Sequence, residues 1–280
     1  MTGILQSVTG VIAGDNGREF LIIADSSICT GASAWKVTIS DGKSFDAALK
    51  KVDNNRKIAV FGIGKHVVDE DDSGNSKKVA QGDAVIALGN IFGYADGMSY
   101  GVVSASNYKA TFFDGECAVI ATDIPAEEQG TGMLFNMDGE VVGMISSSVW
   151  NDTGKNVVNA YGISDLKPII ELLINGKSVP YIGIYGTTVT EQLAEEHKMP
   201  SGIYVADVDP DSPAMAAGIQ IGDIICEASG EEIKDIAAYQ NIVIGSSVGE
   251  TMEFVGKRLG LDGYVNIKFS VVTTEKEEVK

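Results

Sequence analysis

Up to residue 163 the sequence is a succession of short apolar segments separated by turn signals, and no convincing helical pattern lies between them. Ile58–Ile63, for example, is a continuous apolar run, and Gly82–Gly89 is another short strand-like segment. Strands that follow one another at this spacing, without long helices, are typical of antiparallel barrels and sandwiches. The first part of the chain is therefore predicted to be built from β-strands.

Polar turns between paired apolar segments predict three hairpins. Their turns are Asp15–Gly17, Ser40–Lys43 and Asp138–Gly139. The third is a strong signal, because an Asp-Gly pair flanked by apolar strands favours a tight hairpin turn.

The first helical pattern follows these strands. Ser164 is expected to cap it and Pro168 to lie in its first turn, where proline is tolerated best. Apolar residues then recur at helical spacing, at Leu166, Ile169, Ile170 and Leu173.

Composition excludes several classes of function. Lys and Arg number 21 against 39 Asp and Glu, a net charge of −18, which argues against nucleic acid and anionic lipid as partners. The 3 cysteines and 2 histidines lie far apart, so neither a disulfide framework, a metal site nor any other cofactor is expected. The apolar runs are too short to span a bilayer, so no direct membrane contact is expected either.

The stretch Glu128–Gly143, which reads EQGTGMLFNMDGEVVG, resembles the active-site segment of the HtrA family, trypsin-like serine proteases that carry a PDZ domain. The family pattern there is G-N-S-G-G-P-L-V-N-x-D-G-x-V-x-G. A second segment, Asp211–Ile225, resembles the PDZ domain of such proteases through its pattern S-P-A-x-x-A-G-I-x-x-G-D-x-I. The resemblance covers nearly the whole chain, from about Gly10 to Val272.

The resemblance implies a mainly β fold with two chymotrypsin-like antiparallel β-barrels followed by a C-terminal α+β PDZ domain. It gives a first, N-terminally reduced barrel at 1–76, a second barrel at 77–164, a linker helix at 165–179, a PDZ domain at 180–274 and a frayed charged tail at 275–280. The acidic stretch Asp69–Ser76 is interpreted as a solvated linker between the two barrels.

The three positions that match the catalytic triad of the family all carry other residues. Ser27 stands at the histidine, Lys57 at the aspartate and Gly130 at the nucleophilic serine. The oxyanion loop is also altered at Glu128, Gln129 and Thr131, and a carboxylate there would repel a developing negative charge. No triad residue is intact.

A rebuilt active site remains the alternative. A Ser27–Lys57 pair can be catalytic if burial lowers the pKa of the lysine, although we expect a purely structural hydrogen bond between the two. Thr131 offers a second hydroxyl one position beyond Gly130. Cys29 has no evident base and is predicted to be a buried core thiol. His66 and His197 lie far from the site in sequence.

The peptide-binding end of the resemblance is retained. Tyr181, Ile182, Gly183 and Ile184 match the carboxylate-binding loop of such PDZ domains, in which backbone amides capture a terminal carboxylate. The opposite wall is expected to be a helix, with an apolar face at Ala238, Tyr239, Ile242 and Val243. Some of these side chains can instead fill the core of the domain.

The sequence thus favours an HtrA-like pseudoprotease that binds peptides or unfolded segments with free C-termini and acts as an adaptor, chaperone or regulator in protein quality control. An active serine-type endopeptidase is the alternative. The resemblance implies a location outside the cytoplasm, at the cell surface or anchored to the membrane if an N-terminal anchor is missing from this sequence. Assembly into a homo-oligomer is left open.

Overall fold

The computed structural model describes residues 6–39, 42–64, 78–94, 97–127, 130–146, 148–149 and 156–277. The chain divides into two compact units. The first holds residues up to 110 and 117–177, and the second holds residues 111–116 together with 178–280. The predicted linker Asp69–Ser76 lies outside the described residues.

The first unit begins with a five-stranded antiparallel sheet in the order β1-β2-β5-β4-β3. Its strands are β1 (Val11–Asp15), β2 (Glu19–Asp25), β3 (Trp35–Thr38), β4 (Ser44–Asp53) and β5 (Ile58–Gly64). The central strands β2 and β5 are almost wholly buried, as their continuous apolar sequences indicate. A first barrel was predicted for this part of the chain. In the described residues its strands form an open sheet with β1 and β3 at the edges.

A closed six-stranded barrel follows, in the order β10-β11-β8-β7-β6-β9, and confirms the second predicted barrel. Its strands are β6 (Ala84–Gly89), β7 (Gly97–Phe112), β8 (Gly115–Pro125), β9 (Gly132–Phe135), β10 (Val141–Ile145) and β11 (Val157–Gly162). Inward apolar side chains such as Val85, Leu134 and Val158 fill it. The predicted hairpin turn at Asp138–Gly139 joins β9 to β10, and Gly139 has a φ of 84° there.

Helix α1 (Ile163–Ile174) differs from its prediction in two details. It starts directly after β11 with Gly162 as its N-cap, so Ser164 does not cap it, and Pro168 falls beyond the first turn. Leu166, Ile169 and the other predicted apolar residues are buried. Helix α1 contacts β1, β4, β10 and β11 and belongs to the first unit.

The second unit is a sheet in the order β12-β13-β14-β16-β17, with the short β15 paired to β14. The strands are β12 (Ile184–Thr188), β13 (Ile203–Val208), β14 (Ile224–Ala228), β15 (Glu231–Glu232), β16 (Thr251–Gly260) and β17 (Gly263–Val272). The helices are α2 (Glu191–His197), α3 (Pro213–Ala217) and α4 (Ile236–Gly245). Within the described ranges, one edge of β12 has no strand partner.

The segment Asp211–Ile225 forms the local structure that its motif predicts. The Ser212 hydroxyl caps α3 by accepting a hydrogen bond from the Met215 amide at 3.2 Å, and Gly218 ends the helix at a φ of 87°. The carboxylate of Asp223 is buried and accepts hydrogen bonds from the Arg258 guanidinium at 2.6 and 2.8 Å. The Asp223 side chain of the motif therefore links this turn to β16 through Arg258.

Contacts lie just before and at the start of the predicted tail. Thr274 and Tyr181 exchange backbone hydrogen bonds of 2.8 and 3.0 Å. The Lys276 ammonium lies 3.3 Å from an Asp209 carboxylate oxygen and 4.4 Å from the centre of the Phe113 ring. Lys276 therefore has both an ionic and an aromatic partner in the second unit. Across the described ranges, no helix has the length and apolar character needed to cross a membrane.

Candidate functional site

Two of the three triad positions are neighbours, as the resemblance implies. Pairing of β2 with β5 places Asp25 opposite Ile58, and the Ser26 amide donates to the Lys57 carbonyl at 2.9 Å. Lys57 itself is exposed and has a φ of 60°.

The expected hydrogen bond between the Ser27 and Lys57 side chains does not form. Ser27 lies in a short 3-10 turn, Ser26–Cys29, and its hydroxyl accepts a hydrogen bond from the Gln6 side chain at 3.2 Å. The left-handed turn leaves the Lys57 side chain in solvent instead. Cys29 is half-buried against the core of the first sheet, not fully buried as predicted.

The third position, Gly130, is buried just before β9, and its amide donates to the Glu127 carbonyl at 3.2 Å. Thr131 is 3% exposed, and its hydroxyl has no hydrogen-bond partner among the residues that the structure describes. A hydroxyl nucleophile needs a base within hydrogen-bond distance. Glu128, Gln129 and His66 lie outside the described residues.

A buried chain of hydroxyl groups lies beside these positions, which the sequence reasoning missed. Ser146 donates to the Asp25 carboxylate at 2.7 Å, and Ser148 links Ser146 to Tyr161 through contacts of 3.0 and 3.2 Å. The Ser27 amide also donates to Asp25, at 2.9 Å. Ser146 is 0% exposed, so its hydroxyl is buried in this structure. These hydrogen bonds stabilise the 3-10 turn Ser26–Cys29 through Asp25.

In the second unit, three backbone amides of the predicted carboxylate-binding loop converge on one carboxylate. The amides of Ile182 and Gly183 donate to one oxygen of Asp114 at 2.7 and 2.8 Å, and the Ile184 amide donates to the other at 3.0 Å. The Tyr239 hydroxyl, from α4, also donates to Asp114, at 2.7 Å. The loop turns at Gly183, whose φ of 93° favours glycine.

Asp114 belongs to the tip of the β7–β8 hairpin, residues Thr111–Glu116, which is part of the second unit and is called the hairpin tip below. The Asp114 amide donates to the Ile184 carbonyl at 2.7 Å, and the Glu116 amide donates to the Gln240 side chain at 2.9 Å. The Phe113 ring packs edge-on against the rings of Tyr181 and Tyr185.

Burial sets the ionisation of this cluster. It raises the pKa of Asp114, whereas the hydrogen bonds from Gly183, Tyr239 and the other two amides oppose that rise. Burial and then the Asp114 charge raise the pKa of Tyr239, so its hydroxyl keeps the proton that it donates. Burial also raises the pKa of Tyr181, whose hydroxyl donates to Asp209. Four donors around a buried carboxyl group are an arrangement that suits the carboxylate form.

The side chains predicted to line the groove divide between two roles. Ile182, Ile184, Tyr239 and Val243 are at most 1% exposed and belong to the core of the unit. Ala238 and Ile242 on α4 are partly exposed. Only the hydroxyl group of Tyr239 reaches the carboxylate, while its ring packs against Phe254.

Asp114 and Gln240 were not predicted as site residues. The only signal for Asp114 is its Asp-Gly pair between apolar segments, which predicts a turn and not a contact 68 residues away. Among the described residues, no group of His, Cys, Asp and Glu side chains is arranged to hold a metal ion.

Comparison with known proteins agrees with both parts of the resemblance. The PDZ domain family matches residues 204–258. The chain is 29% identical over 257 residues to the probable periplasmic serine endoprotease DegP-like of Halomonas elongata, covering 87% of this chain and 54% of that protein. It is 29% identical over 285 residues to the serine protease Do-like HtrA of Bacillus subtilis, covering 94% and 62%. The chain thus spans little more than half the length of these curated relatives.

The fold is also similar to that of solved structures of HtrA-type proteases. The structure of the HtrA-type protease AlgW with a decapeptide superposes with a TM-score of 0.67 at 21% identity, covering 96% of this chain and 83% of that one.

Proposed function

Because the chain is homologous to the HtrA/DegP serine proteases and carries a PDZ domain, we propose that it is a pseudoprotease that binds the free C-termini of peptides and unfolded protein segments. Its barrel and open sheet then serve as a scaffold, and the PDZ domain does the binding. Such a protein acts as an adaptor, chaperone or regulator in protein quality control.

One observation carries the binding half of the proposal. The amides of Ile182, Gly183 and Ile184 already converge on a carboxylate, at 2.7 to 3.0 Å. Backbone amides arranged in this way select a carboxylate and not a particular side chain. The exposed edge of β12 begins at the same loop, so the residues upstream of a bound C-terminus can add to the sheet as a strand.

The loss of proteolysis is supported by what surrounds the two candidate hydroxyl groups. The Ser27 hydroxyl contacts the side-chain amide of Gln6 and not the Lys57 ammonium. The Thr131 hydroxyl is buried and has no partner in the described part of the chain. Among the described residues no base lies within hydrogen-bond distance of either hydroxyl, and the matched nucleophile, Gly130, has no side chain. The periplasmic names of relatives support a location outside the cytoplasm.

We expect saturable binding of free-carboxylate peptides by the purified protein. A fluorescent decapeptide selected from a library of free C-termini should bind at least about tenfold more tightly than its C-terminal amide, because the amide loses the charge-assisted hydrogen bonds of the loop. Fluorescence anisotropy measures both affinities. Equal binding of acid and amide would contradict the proposal.

A casein cleavage assay tests the scaffold half. The wild type is expected to release no more peptide than its Ser27→Ala, Lys57→Ala and Thr131→Ala variants, each checked for folding by circular dichroism. Cleavage by the wild type that disappears in one folded variant would establish a rebuilt protease site and overturn the pseudoprotease assignment.

A further inference from the structure

We propose that Asp114 is an internal ligand of the PDZ domain, so that a peptide C-terminus binds only when it displaces the hairpin tip. This proposal rests on the proposed peptide-binding function and adds the regulation of that site. It follows from which groups the hairpin tip occupies.

The carboxylate-binding loop has no free donor while the tip is docked. Each backbone amide carries one hydrogen, and those of Ile182, Gly183 and Ile184 all point at Asp114. Asp114 is 1% exposed, so a second carboxylate cannot share the loop with it. Two carboxylates in one buried site would also repel each other.

The backbone of the tip imitates the last residue of a bound peptide. The Asp114 amide donates to the carbonyl of Ile184, the first residue of the edge strand β12, at 2.7 Å. This is the hydrogen bond that would begin strand addition by an incoming peptide. Asp114 therefore fills both the carboxylate site and the first pairing position of the edge.

The α4 side of the groove closes on the same tip. The Gln240 side-chain oxygen accepts a hydrogen bond from the Glu116 amide at 2.9 Å, and the Tyr239 hydroxyl donates one to Asp114 at 2.7 Å. A Cβ atom added to Gly115 would lie 2.3 Å from the Gln240 side-chain oxygen, so the tip fits against the helix without spare room. Phe113 and Lys276 pack over the outer end.

Docking of the tip is expected to lower the apparent affinity for peptide. The apparent affinity is the affinity of the free loop multiplied by the fraction of time that the loop is free. Replacing Asp114 by asparagine removes the charge and adds donors facing the loop amides, and replacing it by alanine removes the carboxylate altogether. Both variants should bind the free-carboxylate decapeptide at least about tenfold more tightly than the wild type.

Asp138→Asn supplies the matched control. Asp138 stands in another Asp-Gly hairpin turn, between β9 and β10, and is exposed, so the substitution changes the net charge equally without touching the loop. Its affinity for the decapeptide should equal that of the wild type.

Amide hydrogen exchange gives a second readout that needs no peptide. The amides of Ile182, Gly183 and Ile184 should exchange at least about tenfold faster in Asp114→Ala than in the wild type or in Asp138→Asn. Unchanged exchange together with unchanged affinity would overturn the internal ligand. If no variant binds any free-carboxylate peptide but the loop amides lose protection in Asp114→Ala, the docked tip stands and the proposed peptide-binding function fails.

Discussion

A Gly183→Ala variant is expected to lose binding of free-carboxylate peptides by about 100-fold or more, the equivalent of about 2.7 kcal/mol. Gly183 has a φ of 93°, and a Cβ atom there would lie 2.3 Å from Cβ and 2.6 Å from the hydroxyl oxygen of Ser212. Ser212 caps α3 and cannot move away without losing that cap. The loop must therefore shift, and its amides no longer meet at one point.

The same anisotropy titration measures this loss, with thermal unfolding as a check that the second unit still folds. Gly245→Ala is the matched control, because Gly245 ends α4 in an ordinary backbone conformation with no atom within 4 Å of an added Cβ. Retention of peptide affinity within threefold in a folded Gly183→Ala protein would show that the loop amides do not hold the carboxylate.

Gly132→Ala should give the largest loss of stability in the first unit. Gly132 pairs with Gly89 where β6 meets β9, and an added Cβ would lie 2.1 Å from the Leu88 carbonyl oxygen. The neighbour is backbone, so the strands must separate. We expect the free energy of unfolding to fall by more than about 3 kcal/mol, beyond ordinary overpacking.

Urea unfolding followed by circular dichroism measures this change. Gly139→Ala separates the backbone cost from the clash, since Gly139 has a φ of 84° but no atom within 4 Å of an added Cβ. Its cost should be about 1 to 2 kcal/mol. Equal losses in the two variants would mean that the close approach of β6 and β9 does not limit stability.

Local patterns in the sequence predicted much of the fold. The hairpin around Asp138–Gly139 formed as predicted, because a few neighbouring residues determine it. Strand β7 continues to Phe112 although polar residues after Ala105 interrupt its apolar pattern, so its length cannot be predicted from the sequence. Strand β11 was not predicted, because its short sequence carries a buried Asn159.

The candidate site was predicted in its local part only. The carboxylate-binding loop is a contiguous motif, so the sequence identifies its amides. What those amides bind depends on Asp114, which is 68 to 70 residues away and reaches the loop through the folding of two long strands. Likewise, spacing along α4 could not separate Tyr239, whose hydroxyl reaches Asp114, from Val243, which lies in the core.

The hairpin tip is covalently part of the chain that carries the groove, which fixes how peptides compete with it. Its local concentration stays the same however far the protein is diluted, so dilution alone never vacates the loop. When peptide is in excess, the association rate levels off at the rate at which Asp114 leaves its four donors. Departure of the hairpin tip therefore limits both how tightly and how fast a peptide binds. Raising the concentration of a weak ligand cannot raise its association rate above this limit.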